Sequence, residues 1–150
     1  MISPAPAGLD TDWMDEFVEN CEKLNCRIDY LATHIYKGKS VKERMEKLRA
    51  FSERYGKKLW LTEFSMEHEA DENKIVEFVE EFLPQLEFSD FIHKYSWYYT
   101  RYYENHEDQG GFWLDSYNSL MDLDAPKLSK VGLAYDKPWH LEKYCQKQLF

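Results

Sequence analysis

Apolar residues in this chain recur in two rhythms, one of period two and one of three and four. From Lys57 to Met66, five of ten residues are large and apolar, and aromatic and β-branched types suit a strand. A single carboxylate, Glu63, stands near the C-terminal end of that run. Period two puts Leu59, Leu61 and Glu63 on one face and Trp60, Thr62 and Phe64 on the other. A carboxylate in line with two leucines, where a strand runs out, is costly to bury without a purpose or a partner. It reads either as a catalytic group at a strand end or as a salt-bridged residue at a solvent-exposed one.

The longer rhythm predicts helices. Asp10 or Thr11 caps one that runs to about Leu24, with Trp13, Met14, Phe17, Val18, Cys21 and Leu24 on its apolar face. Ser40-Val41-Lys42-Glu43 is a capping box; Val41, Met45, Leu48, Phe51 and Tyr55 form the stripe behind it, and Gly56 stops the helix. Asp71 opens a third, with Ile75, Val76, Phe78, Val79, Phe82 and Leu86 facing the core and Pro84 expected to end or kink it. Leu128 to Tyr135 is the last helix. Two further strands are predicted, Arg27–Tyr36, with Ile28, Tyr30, Ala32, His34 and Tyr36 on one face, and Phe91–Tyr99. The two prolines of Ile2–Gly8 leave room only for the last residues of a strand passing into a loop.

Strand centres therefore fall near residues 4, 31, 62 and 95, with a helix in each gap. A βα repeat of this kind demands parallel strands with right-handed crossovers. Four repeats are half of a (β/α)8 TIM barrel, and the fold class expected is α/β, a half-barrel. An open doubly wound sheet competes, but no Gly-rich phosphate loop follows any strand. After Thr100 the pattern changes. Arg101–Tyr117, with Gly110-Gly111 inside it, reads as a long polar and aromatic loop on the strand-end face. Asn118–Asp124 reads as a turn, and Lys137–Phe150, with Trp139, Leu141 and Tyr144, as a tail.

Composition narrows the chemistry. The 150 residues suit one domain, and 43% hydrophobic with 31% charged residues describes a globular chain. Aromatics reach 17%, which suits a core and also a sugar-binding cleft, where rings stack on pyranose faces. A formal net charge of −9 argues against nucleic acid or an anionic membrane surface as partner. There is no signal peptide at Met1 and no apolar run long enough to span a bilayer. Three cysteines, Cys21, Cys26 and Cys145, do not make a disulfide scaffold, though a Cys21–Cys26 bridge would join a helix end to a strand start. Neither Cys nor His spacing matches a zinc site, and no metal or cofactor is expected. His34 and Tyr36, Glu63, and Trp97 are expected to converge from three strand ends, Trp97 as a flat floor for a sugar ring. Singly, each has a plainer reading as a core or packing residue.

Several strings then carry a family resemblance. Cys26-Arg27-Ile28-Asp29-Tyr30-Leu31-Ala32-Thr33-His34-Ile35-Tyr36 is similar to C-x-[IV]-D-F-[IL]-A-x-H-x-Y, and Leu59-Trp60-Leu61-Thr62-Glu63-Phe64 to W-[IL]-T-E-[FW]. Ser3-Pro4-Ala5, Tyr95-Ser96-Trp97 and Asn118-Ser119-Leu120 followed by Leu133-Ala134-Tyr135 fall in matching order. Together they resemble the alkali-sensitive-linkage-protein-like glycoside hydrolases (glycoside hydrolase family 128), which cleave β-1,3-glucan. The resemblance implies a retaining glycosidase on a TIM barrel, with β-glucan as substrate and Glu63 as nucleophile, and with His34, Tyr36 and Trp97 lining the adjoining subsite. It makes residues 1–136 the C-terminal half of the catalytic domain and 137–150 a tail. The Asn-Glu-Pro setting of the family's acid/base does not occur in this chain, so the chain alone is expected to be inactive. A similar cysteine pair in some relatives supports the Cys21–Cys26 bridge if the protein is exported. From a different functional class, the chain reads as a non-catalytic glucan-binding protein, or as a half-barrel that self-associates through open strand edges and through apolar faces such as Ile28, Leu59 and Leu61 that lack an opposite wall.

Overall fold

The computed structural model describes residues 1–69, 71–102, 114 and 116–137. Its sheet has three parallel strands in the order β1 (Leu31–Ile35), β2 (Leu59–Phe64), β3 (Ile92–Trp97). Four helices accompany them: α1 (Thr11–Lys23), α2 (Val41–Tyr55), α3 (Glu72–Phe88) and α4 (Lys130–Tyr135). The expected N-terminal strand is reduced to one parallel bridge between Ile2 and Tyr30. The Ser3 hydroxyl extends that attachment by accepting from Ala32 N at 2.9 Å.

Local chemistry sets the helix ends. Asp10, Ser40, Asp71 and Ser129 each accept a backbone N–H with their side chains, which satisfies donors the first turn leaves unpaired. Gly56 closes α2 in the left-handed conformation (φ 60°). Pro84 does not end α3, which continues to Phe88. The proline is itself buried with Phe82, Leu83 and Leu86, and tertiary burial outweighs the single hydrogen bond the ring removes.

The helices cover one face of the sheet. Leu59, Leu61 and Phe64 of β2 are fully buried there with Leu31 and Ile35 of β1 and with Ile75, Val79 and Phe82 of α3. Leu59 and Leu61 therefore do not lack an opposite wall. The other face carries Tyr30, Trp60 and His93, whose rings lie 4.3 Å (Tyr30–His93) and 5.9 Å (Trp60–His93) apart, with Lys94 Nζ 5.2 Å above the Trp60 ring. Most of the expected Arg101–Tyr117 loop, and the tail residues Trp139, Leu141 and Tyr144, lie outside the described residues. No helix among the described residues is long and apolar enough to cross a membrane.

Cys21 and Cys26 are free thiols in this structure, Cys21 buried and Cys26 exposed, so the expected bridge is not present. They do lie side by side: the hydrogen bond that the Cys21 thiol donates to Cys26, with burial, holds Cys21 above its ordinary pKa, which disfavours the thiolate that oxidation requires. Closing this short loop is expected to add about 2 kcal/mol of stability in oxidised material. Alkylation under non-reducing conditions followed by mass spectrometry reads the thiol count directly.

After β3 the chain returns through a 3-10 turn (Ser116–Asn118) to α4, which is pinned at two points. The Ser129 hydroxyl donates to Ser119 O at 2.5 Å, and Ser129 N donates to Leu120 O at 2.9 Å. A Cβ at Gly132 would come within 1.9 Å of the Leu120 carbonyl oxygen, a backbone atom that cannot swing aside. Gly132→Ala is expected to destabilise the fold by about 1–3 kcal/mol, read as a lower urea midpoint at unchanged slope.

Candidate active site

Strict alternation would place Glu63 beside Leu61 in the helix-covered core. The pairing of β1 with β2 shows otherwise: Thr33 faces Leu61, but His34 faces Glu63, so Thr62 is an extra residue in β2. The β3 side agrees, since Leu61 faces Tyr95 while Phe64 faces Trp97. This bulge resets the pleat. Phe64 turns into the core at 0% exposure, and Glu63 turns to the face that carries Tyr30, Trp60, His34 and Tyr36. The Thr62 hydroxyl donates to Thr33 O at 3.3 Å, bridging the irregular step.

Glu63 meets two of its expected companions there. Tyr36 Oη donates to Glu63 Oε2 at 2.5 Å, and His34 Nδ1 lies 3.3 Å from the same oxygen. His34 is 17% and Glu63 33% exposed, so the carboxylate is reachable from solvent while its neighbours hold it. Burial, then the hydrogen bond and negative charge of Glu63, push the Tyr36 phenol far above its ordinary pKa and keep it a donor. The other carboxylate oxygen, Oε1, has no hydrogen-bond partner among the described residues.

Trp97 is not part of this group. It is 5% exposed, packs edge-on against Phe64 at 5.3 Å and near Phe78 and Tyr135, and donates its indole N–H to Asn118 O at 2.7 Å. It serves the core and offers no free ring face beside Glu63. Its neighbour Tyr98 meets the Tyr36 ring instead, at 6.2 Å and 81° between planes. Period two from Trp97 was the available signal, because adjacent strand residues point to opposite faces.

A cleft of about 920 Å³ opens beside His34 and Tyr36, between Gly8, Leu9 and Thr11 on one side and Ala50, Phe51 and Arg54 of α2 on the other. Glu63 does not line it, though His34 and Tyr36 border both. Among the described residues, no three His, Cys, Asp or Glu side chains gather where a metal ion would sit. Glu69, one of the loop carboxylates after Glu63, accepts from Asp71 N at 3.0 Å and sits 3.4 Å from Lys74 Nζ.

The fold is therefore half of a (β/α)8 barrel with a held, reachable carboxylate at a strand end, which is the architecture of a glycoside hydrolase domain. The chain belongs to the glycosyl hydrolase catalytic core family, whose pattern matches residues 1–135. Within it, the chain is GH128-like. It is 29% identical over 101 residues to Alkali-sensitive linkage protein 1 of Schizosaccharomyces pombe, a match spanning 64% of this chain and 18% of that protein. Among solved structures, it superimposes on a GH128 subgroup II endo-β-1,3-glucanase from Sorangium cellulosum with a TM-score of 0.72 and 27% identity, covering 93% of this chain and 55% of that one. A GH128 subgroup III curdlan-specific exo-β-1,3-glucanase from Blastomyces gilchristii, in complex with glucose, matches with a TM-score of 0.66 and 26% identity over 91% and 53% of the two chains. The chain thus spans about half the length of these structures.

The Tyr36 phenol provides a pH test of the site. Its pKa is raised in the fold, so its contribution to stability is complete below the unfolded value of about 10 and is lost as pH rises beyond it. Tyr36→Phe is expected to lose less stability than the native chain between neutral and strongly alkaline pH. Urea unfolding at a series of pH values checks this, and Tyr95, shifted the same way by burial and Glu87, is common to both proteins and cancels in the comparison.

Proposed function

We propose that this chain supplies the nucleophile half of a retaining β-1,3-glucan hydrolase domain, with Glu63 as nucleophile. The observation that carries the reading is the convergence of Tyr36 Oη and His34 Nδ1 on one oxygen of Glu63, on the bulged face at the strand end. Both neighbours hold the same oxygen and fix the plane of the carboxylate. Oε1 is then the attacking atom. It adds to the anomeric carbon as the glycosidic C–O bond breaks, and the leaving oxygen takes the bond pair and a proton from a general acid. Water then attacks the same carbon, releasing Glu63 and returning a proton to the conjugate base of that acid.

Retention requires the second carboxyl about 5–5.5 Å from the first. We assign it to the half of the barrel that the chain's longer structural relatives have and these described residues do not. His34 and Tyr36 line the sugar subsite beside Glu63. Trp97 has no role in this proposal as a stacking floor, and Tyr98 stands closer to the site.

The test compares residues 1–150 alone with a version extended by a complementary barrel half, assaying reducing-end release from laminari-oligosaccharides. General acid catalysis contributes about 10²–10⁴-fold, so the chain alone is expected to show no more than a trace of activity. Glu63→Gln in the extended protein is expected to abolish turnover, and azide should rescue Glu63→Ala as a glycosyl azide. Unchanged turnover in Glu63→Gln would overturn the assignment. Oligosaccharide binding by the extended protein without Glu63-dependent cleavage would favour a non-catalytic glucan-binding protein.

A further inference from the structure

Asn118 stands in one of the sequence strings singled out above, yet it lies away from Glu63 in sequence and has no part in the chemistry just described. It is 0% exposed, as is Ser65, and Arg44 of α2 is 4% exposed. These three polar residues meet behind the end of β2. Ser65 Oγ donates to Asn118 Oδ1 at 2.6 Å, and Met66 N donates to the same oxygen at 3.3 Å. Arg44 Nη1 donates to Ser65 O at 2.8 Å, with its guanidinium 4.5 Å from the centre of the Phe78 ring. On the β3 side, Tyr98 N donates to Phe64 O at 2.9 Å. The backbone from Phe64 to Met66 is thus gripped from three directions.

We infer that Asn118, Ser65 and Arg44 are positioning residues that set the direction of Glu63 by clamping the two residues after the bulged strand. The inference rests on the assignment of Glu63 as the functional carboxylate. A bulge interrupts the ladder, so the ladder alone does not determine how the residue beside it points. The orientation must be supplied from outside the strand, and the clamp fixes the path of the chain just beyond Glu63 and Phe64. The clamp also keeps two buried donors without partners among the described residues, Asn118 Nδ2 and Arg44 Nε. A site chosen only for stability would be poorly served by such orphans, whereas a site selected for the placement of a neighbouring group tolerates them.

The reporter is His34, whose Nδ1 lies 3.3 Å from Glu63. The chemical shifts of its ring nuclei in the 150-residue chain, read by NMR at one fixed neutral pH, report that contact. Glu63 and Tyr36 face the ring directly, and Lys37, Glu67 and His68 share its cleft, none of which the clamp variants change. Glu63→Gln measures how far loss of the carboxylate moves the His34 resonances. Ser65→Ala and Asn118→Ala are expected to move them most of the same way while the chain stays folded by circular dichroism and by its melting transition. If they lower the melting temperature and leave the His34 resonances at their native positions, the three residues are structural only and the inference falls. It also falls if Glu63→Gln leaves the resonances unchanged, or if Ser65→Ala, which removes a single hydroxyl, fails to fold. Because the reading is a ring contact and not turnover, failure here is separable from failure of Glu63 as nucleophile, which the hydrolysis assay decides.

Discussion

Thr62 has no opposite number on β1, and the whole arrangement of the site depends on that extra residue. Without it, Glu63 would follow Leu61 into a layer where Leu59, Leu61, Phe82 and Val79 are all at 0% exposure. A carboxylate there, without a cation, would face a desolvation penalty of several kcal/mol or would neutralise. With the bulge, the buried position goes to Phe64, which fills it against Phe82 at 5.4 Å and Trp97 at 5.3 Å. One inserted residue therefore satisfies two demands: an aromatic ring for the core and a carboxylate for the open face of the sheet.

The electrostatics of Glu63 follow from the same turn. Tyr36 and His34 approach one oxygen only, which orients the carboxylate without saturating it. Partial exposure matters as much as the contacts. A fully buried carboxylate would gain strength of interaction but lose access to a substrate, and a fully exposed one would gain little from either neighbour. Tyr36 is the more constrained partner, because burial alone already favours its protonated form and Glu63 adds to that preference. It is a fixed donor over the pH range in which a carboxylate is ionised.

Sequence periodicity located the three sheet strands and the four helices to within a few residues, because each has an unambiguous signal. Ser40 with Glu43, Asp71 and Gly56 act through short-range hydrogen bonds and backbone conformation, and such signals are local. Glu63, His34 and Tyr36 were legible as a strand-end group for a similar reason: parallel neighbouring strands bring their ends together, although the face on which Glu63 meets the other two depends on the bulge. The bulge was not legible. Leu-Trp-Leu-Thr-Glu-Phe fits strict alternation as well as it fits a slip at Thr62, and only the competition between Glu63 and Phe64 for one buried position decides between them. Trp97 was misplaced because its face was inferred from the chemistry a tryptophan can offer, when the parity of β3 relative to Phe64 decides it. Nothing local in the sequence of α2 marks Arg44 as buried against Ser65 O.

The face opposite the helices explains how a half-barrel can hold a formed carboxylate site and still, on the proposed mechanism, need a second half. Tyr30, Trp60, His93 and Lys94 associate with one another there, yet the buried Trp60 Nε1 has no acceptor among the described residues. That surface is partly apolar and incompletely paired, as expected of the inside of a barrel whose other strands are not among these residues. The helix-covered face, by contrast, is complete: its layer is closed by α2, α3 and α4 from within the chain. The orientation of Glu63 nonetheless draws only on contacts within the chain: the bulge and the backbone contacts of Ser65 on the helix side, and His34 and Tyr36 on the open face. What a second half would contribute is the opposite wall and, on the proposed mechanism, the proton donor. If Glu63 is the nucleophile as proposed, its geometry and the leaving group's proton belong to different halves of the barrel, so the first can be built and measured in this chain without the second.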